Sequence, residues 1–158
     1  MLSNIKIIKS NEKYITSYWQ LFDRVARERK YFSNDSAASL EDTTHFVKQA
    51  INQGFPQLFV INTDTDTCIG WCDTIGKDQK TGYLGIGLDA EYRELGLGHE
   101  LLTQTLTLAK EFGFERVELD VLANNHRAIH LYETFGFTSF NYVKDGYTWH
   151  NPTETGDI

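Results

Sequence analysis

Isoleucines alternate with polar residues over residues 4–9, which predicts a first strand. Over residues 12–29 the period lengthens. Ile15, Trp19, Phe22 and Ala26 recur at three and four, as on one face of a helix. A second stripe, Phe46, Val47, Ala50 and Ile51, predicts another helix. Ser39 would cap it, with Asp42 at the third position where Glu or Gln is commoner, and Gly54 would end it. Residues 57–62 and 68–75 read as strands around the polar turn 63–66, and residues 83–88 as a third. Residues 98–112 carry Leu101, Thr105, Leu108 and Phe112 on one helical stripe, with Gly113 after the end. A strand over 116–122 and a helix over 125–135, closed by Gly136, follow. Residues 137–143 and 147–150 are expected to form a hairpin over Lys144-Asp145-Gly146, and the polar tail 151–158 to fray.

The expected order is β-α-α-β-β-β-α-β-α-β-β. Short connections in the middle imply antiparallel pairing, and the strand–helix–strand unit over 83–122 implies one parallel, right-handed crossover. The fold class is therefore α/β: a mixed, mostly antiparallel twisted sheet with helices on both faces. At 158 residues the chain is expected to be a single domain, 1–158.

Charge narrows the partners. With 15 Lys and Arg against 22 Asp and Glu, the net charge of −7 argues against nucleic-acid binding and leaves room for a cationic substrate. No apolar run is long enough for a membrane span, and lysine at position 6 comes too early for a secretory signal. Cys68 and Cys72 lie on one predicted strand, about 13 Å apart, too far for a disulfide. Both read as reduced thiols, so a cytoplasmic location is expected, without a membrane partner.

Three features carry candidate chemistry. In Leu84-Gly85-Ile86-Gly87-Leu88 the apolar side chains share one strand face and the other holds only glycine. Such a bare face admits either a ligand or tight sheet packing. Directly after it comes Arg93-Glu94-Leu95-Gly96-Leu97-Gly98, directly before the long helix. Glycines let consecutive N–H groups converge, and the helix N-terminus adds partial positive charge, which suits a phosphate or pyrophosphate. A third glycine for a dinucleotide fingerprint is missing at Leu101, and no Gly-Lys-Ser/Thr follows. The third feature is Glu118, Asp120, Asn125 and Tyr132. The two acids share a strand face, and Asn125 and Tyr132 share one side of the last helix. Their ordinary roles would be a solvated face, a cap and a core ring. No metal site is expected. Residues 62–73 depart from a calcium loop at Thr67 and Asp73, and the i,i+4 pair His126 and His130 lacks a third ligand.

The run 84–137 resembles the GCN5-related N-acetyltransferases (GNAT). Arg93, Gly96 and Gly98 fit that family's Arg/Gln-x-x-Gly-x-Gly/Ala loop. Asn125, Ala128, Leu131, Tyr132, Gly136 and Phe137 fit its Asn-x-x-Ala-x-x-Leu-Tyr-x-x-x-Gly-Phe helix. A weaker likeness extends over about 57–143, the expected cofactor core, and substrate specificity is usually written in the first 55 residues. The resemblance implies acetyl-CoA as cosubstrate, its pyrophosphate on the amides of residues 95–99, from Leu95 through Leu97 to His99. It implies a pantetheine arm pairing with main chain near Ile86 and Leu88, where that strand splays from its neighbour. It further implies that Asn125 contacts the cofactor, that the Tyr132 hydroxyl faces the sulfur, and that an amine attacks the thioester directly in a ternary complex.

An alkyl ammonium must lose a proton before attack, so a base is needed. Asp120 matches the place of a glutamate base in some protein-acetylating relatives, one methylene short. Glu118 and Asp73 are the alternatives, Asp73 on a strand face where burial would raise its pKa. Tyr132 would protonate the leaving thiolate. The expected acceptor is a small cationic amine. The alternatives are a protein N-terminus or lysine, and a non-catalytic acyl-CoA-binding sensor. Pairing into a homodimer is left open.

Overall fold

The computed structural model describes residues 3–150 and 153–158. The strands are β1 (Ile5–Lys9), β2 (Gln57–Asn62), β3 (Thr67–Gly76), β4 (Thr81–Leu88), β5 (Arg116–Glu118), β6 (Tyr147–Trp149) and β7 (Glu154–Gly156). The helices are α1 (Ile15–Arg27), α2 (Leu40–Gln53), α3 (Leu97–Phe112) and α4 (His126–Thr134), with 3-10 turns at Glu12–Tyr14 and Ala90–Tyr92. Through α4 this is the expected order of elements. The chain falls into two compact units. One comprises the chain up to Phe22 with Ala38–Leu119, the other Asp23–Ala37 with Asp120–Ile158. Among the described residues no helix is long and apolar enough to cross a membrane.

The first unit holds a five-stranded sheet in the order β1-β2-β3-β4-β5. β1 to β4 pair antiparallel, and β5 joins β4 in parallel. Its two faces are covered by different helices. Phe59 and Trp71 are cross-strand partners, and Tyr18 of α1 stacks on Phe59 at 5.0 Å and meets Trp71 edge-on at 5.5 Å. On the opposite face α3 buries Leu101, Leu102, Thr105 and Ala109, with Thr105 against Cys72. The local signals act as read. The Ser39 hydroxyl accepts the Asp42 N–H at 3.0 Å. Gly54, Gly113 and Gly136 take left-handed conformations with φ of 74°, 111° and 91° at or just beyond the helix ends. Neither cysteine forms a disulfide, and both are buried.

Two expectations fail. β5 ends at Glu118 rather than at residue 122, so Asp120 lies beyond the strand. No strand forms over 137–143, and β6 pairs with β7 in the tail instead. The cause is competition for backbone groups. The Asn141 side chain accepts the N–H of Tyr142 (3.0 Å), which draws that backbone out of a ladder. Val143 exchanges two hydrogen bonds with Ile158, at 2.8 and 3.0 Å. Asp157 takes the Asp145 N–H at 2.8 Å and the Tyr142 hydroxyl. So residues 153–158 are tied down rather than frayed, and residues 151 and 152 lie outside the described chain. Within this second unit Leu122, Tyr147 and Trp149 form a small core with Ile158 packed against it.

Candidate functional site

The glycine-rich loop of the first unit is built as an open cradle. Asp89 caps the 3-10 turn through the Ala90 N–H (3.2 Å). Arg93 Nε donates to the Leu88 carbonyl (3.0 Å), bolting the loop to the end of β4. Glu94 and Gly96 then take positive φ, 65° and 81°. Gly96 is the N-cap of α3 and supplies no side-chain cap. The first-turn N–H groups of α3 have no partner inside the helix, as at every helix start. The ground before them is clear: a Cβ on Gly96 meets nothing within 4 Å, and one on Gly98 meets only Leu88 at 4.0 Å. These are the properties an anionic diphosphate requires.

β4 leaves this loop with a released edge. It pairs with β5 only at Thr81, Gly82 and Tyr83. From Leu84 to Leu88 that edge has no strand partner among the described residues. Ile86 and Leu88 thus stand on β4 beyond the end of the β5 ladder, where main-chain groups are left for a pantetheine arm. Loop, helix start and released strand edge fit acetyl-CoA, and no metal ligand set is involved in that fit.

The glycine face of β4 is filled from within the chain. Trp71 lies opposite Gly87, and a Cβ there would stand 2.7 Å from its Cζ3. The Asp73 Oδ1 stands 3.3 Å from the Cβ position of Gly85. Of the two readings of this face, tight packing is the one observed.

The candidate bases differ sharply. Glu118 is held in two ion pairs, to Lys77 Nζ at 2.7 Å and Arg116 Nε at 2.6 Å. Those partners, Lys77 first, hold its carboxyl below the usual range, which makes it a poor proton acceptor near neutrality. Asp120 is exposed and belongs to the second unit. Asp73 is 5% exposed. Burial pushes its carboxyl up to about 7, against the pull of hydrogen bonds from Gln57 and the Gly85 N–H. A pKa near the working pH is what general-base chemistry favours.

In the second unit Asn125 caps α4, its Oδ1 accepting the Ala128 N–H at 3.3 Å. The capping role is therefore real, and the amide nitrogen is not used by it. Tyr132 is half-buried and packs edge-on against Phe137 at 5.9 Å. An open depression of about 650 Å³ elsewhere in the first unit, among Phe46, Phe55, Phe112 and Phe114, contains none of the predicted residues. Sequence reasoning missed Gln57, whose signal was a lone amide opening an apolar strand, and the bolt from Arg93 to β4.

A sequence profile of the acetyltransferase (GNAT) family matches residues 17–137. The chain belongs to this family. N-alpha-acetyltransferase 50 of Danio rerio is 36% identical over 74 residues, 43% of this chain and 44% of that protein. The chain's matches span less than half the length of such curated relatives, 27% for a mycothiol acetyltransferase of Propionibacterium freudenreichii. Among solved structures, a GNAT-family acetyltransferase from Streptococcus pneumoniae superposes with a TM-score of 0.84 at 20% identity, covering 97% of this chain and 95% of that one. A spermidine N-acetyltransferase from Vibrio cholerae, solved with CoA and spermine, gives 0.77 at 16% identity, covering 99% and 93%. At these identities the two structures establish the mixed, mostly antiparallel GNAT fold and no more.

Proposed function

We propose that the chain is a single-domain, cytoplasmic, acetyl-CoA-dependent N-acetyltransferase acting on a small cationic amine. One observation carries the reading. An uncapped helix start behind a positive-φ glycine loop faces open ground, beside a strand whose outer edge is released after three residue pairs. Bound there, acetyl-CoA supplies an activated thioester. The amides of residues 95–99 hold its diphosphate, and the main chain near Ile86 and Leu88 orients its arm. Asp73 is the preferred base, and a bridging water passes it the amine proton because so little of its carboxyl reaches solvent. Tyr132, by the family resemblance, returns a proton to the departing thiolate.

The acidic surplus favours a cationic amine, of which spermine, bound in the Vibrio cholerae neighbour, is an example. The sequence likeness to N-alpha-acetyltransferase 50 favours a second reading, a peptide N-terminus. Both are tested by thiol release from acetyl-CoA, with spermidine, diamines and short peptides as acceptors, after calorimetry has established cofactor binding. Turnover on polyamines over peptides is expected. Preference for peptides would select the second reading. Binding without turnover on any amine would make the chain an acyl-CoA sensor. Tyr132→Phe is expected to lower kcat by about 10²–10⁴-fold with cofactor affinity retained. An unchanged chemically limited rate would remove Tyr132 from the reaction.

A further inference from the structure

Gln57, Asp73 and Gly85 are register partners across β2, β3 and β4, on the face that α1 covers. Gln57 is 2% exposed and Asp73 5%. Gln57 Nε2 donates to Asp73 Oδ2 at 3.0 Å. The backbone of Gly85 favours the charged form of the same carboxyl, whose Oδ1 leans toward Gly85. The other amide atom, Gln57 Oε1, is buried and has no hydrogen-bond partner. A buried amide oxygen without a donor lowers stability, and so does a buried carboxyl among aromatic rings. Two apolar side chains would fill the same row with neither penalty. Adjacent stability losses of this kind are common at functional sites.

We infer that Gln57 is a positioning residue for acetyl transfer: it grips Asp73 by Oδ2 and keeps Oδ1 turned to the β4 side. The inference rests on the reading of Asp73 as the base. The remaining neighbours do not compete for that role. From α1 the titratable group facing Asp73 is Tyr18, whose hydroxyl burial keeps neutral. Beside it on β3 is Cys72, whose thiol burial also keeps neutral. Gly85 on β4 brings only its backbone, and Gln57 on β2 only its uncharged amide.

The test is the pH profile of kcat/KM, read by thiol release with the best acceptor among spermidine, diamines and short peptides. The wild-type profile is expected to rise through a limb set by Asp73. Gln57→Leu removes a donor that favours the charged carboxylate, so its limb moves to higher pH by about one unit. KM for acetyl-CoA stays within about twofold, since main chain holds the cofactor. Gln57→Asn, one methylene too short to reach Oδ2, moves the limb the same way and serves if the leucine variant fails to fold. Gln57→Glu, which sets a second carboxyl beside the first, moves it further. A limb that stays at the wild-type position in Gln57→Leu and Gln57→Asn, yet vanishes in Asp73→Asn, overturns the inference and leaves the base in place. A limb that persists in Asp73→Asn overturns the base assignment itself.

Discussion

Two pairs of glycines, eleven residues apart, lack side chains for opposite reasons. Gly96 and Gly98 face open ground, with nothing nearer than 4.0 Å to an added Cβ. Gly85 and Gly87 face neighbours of their own chain, the Asp73 carboxyl and the Trp71 ring. In the loop the missing Cβ leaves open space, which the proposed function gives to the cofactor. In the strand it serves side chains already in place. The same residue type, repeated at the same spacing, therefore carries no functional meaning until the partner opposite is known.

The largest expected effect sharpens the strand side of this contrast. Burial lifts the Asp73 carboxyl from its ordinary 3.8 to about 7. The folded state then binds a proton more tightly than the unfolded chain, so this group destabilises the fold as pH rises from about 4 to 7. Asp73→Asn is expected to gain up to about 4 kcal/mol above pH 7 and nothing below pH 4, while losing turnover. Denaturant titrations at pH 3.5 and 7.5 read both ends. An equal gain at both would show that charge burial is not the cause.

Gly87→Ala comes next, because its Cβ would press a rigid, fully packed indole. A loss of about 2–3 kcal/mol is expected, with Tm lower by several degrees and acetyl-CoA affinity of the folded protein within about twofold. Gly96→Ala should do the reverse. It meets no atom, so only the φ of 81° resists it. We expect a stability loss of about 1 kcal/mol and the larger part of the damage in cofactor affinity, measured by calorimetry. If both variants weakened the cofactor equally, the distinction between the two glycine pairs would collapse. The smallest effect is Glu94→Gly, which relieves a non-glycine residue at φ 65° and should gain about 0.5 kcal/mol in thermal unfolding.

What could be read ahead of the structure was local. Ser39 with Asp42, the glycines that end α2, α3 and α4, and the polar turn 63–66 between β2 and β3 all act over a few residues, and each formed where expected. The loop of Arg93 to Gly98 was legible too, because strand, glycines and helix adjoin in sequence. Partners distant in the chain were not. That Trp71 fills the face of Gly87 depends on the register of β3 with β4. The neutralising of Glu118 depends on Lys77, 41 residues earlier. The tail displaced 137–143 from pairing with β6 through Asp157 and Ile158, which alternation alone does not foresee. Gln57 opens β2, and its bond to Asp73 depends on the register of β2 with β3.

The short β4–β5 ladder has a consequence for how the chain folds. β2, β3 and β4 follow one another and can zip as hairpins, closing small loops. β5 can join only after some thirty intervening residues have coiled into α3 and folded back, and three residue pairs are its reward. The end of the sheet beside the proposed acyl-carrier site thus rests on its shortest ladder and is the cheapest part to undo.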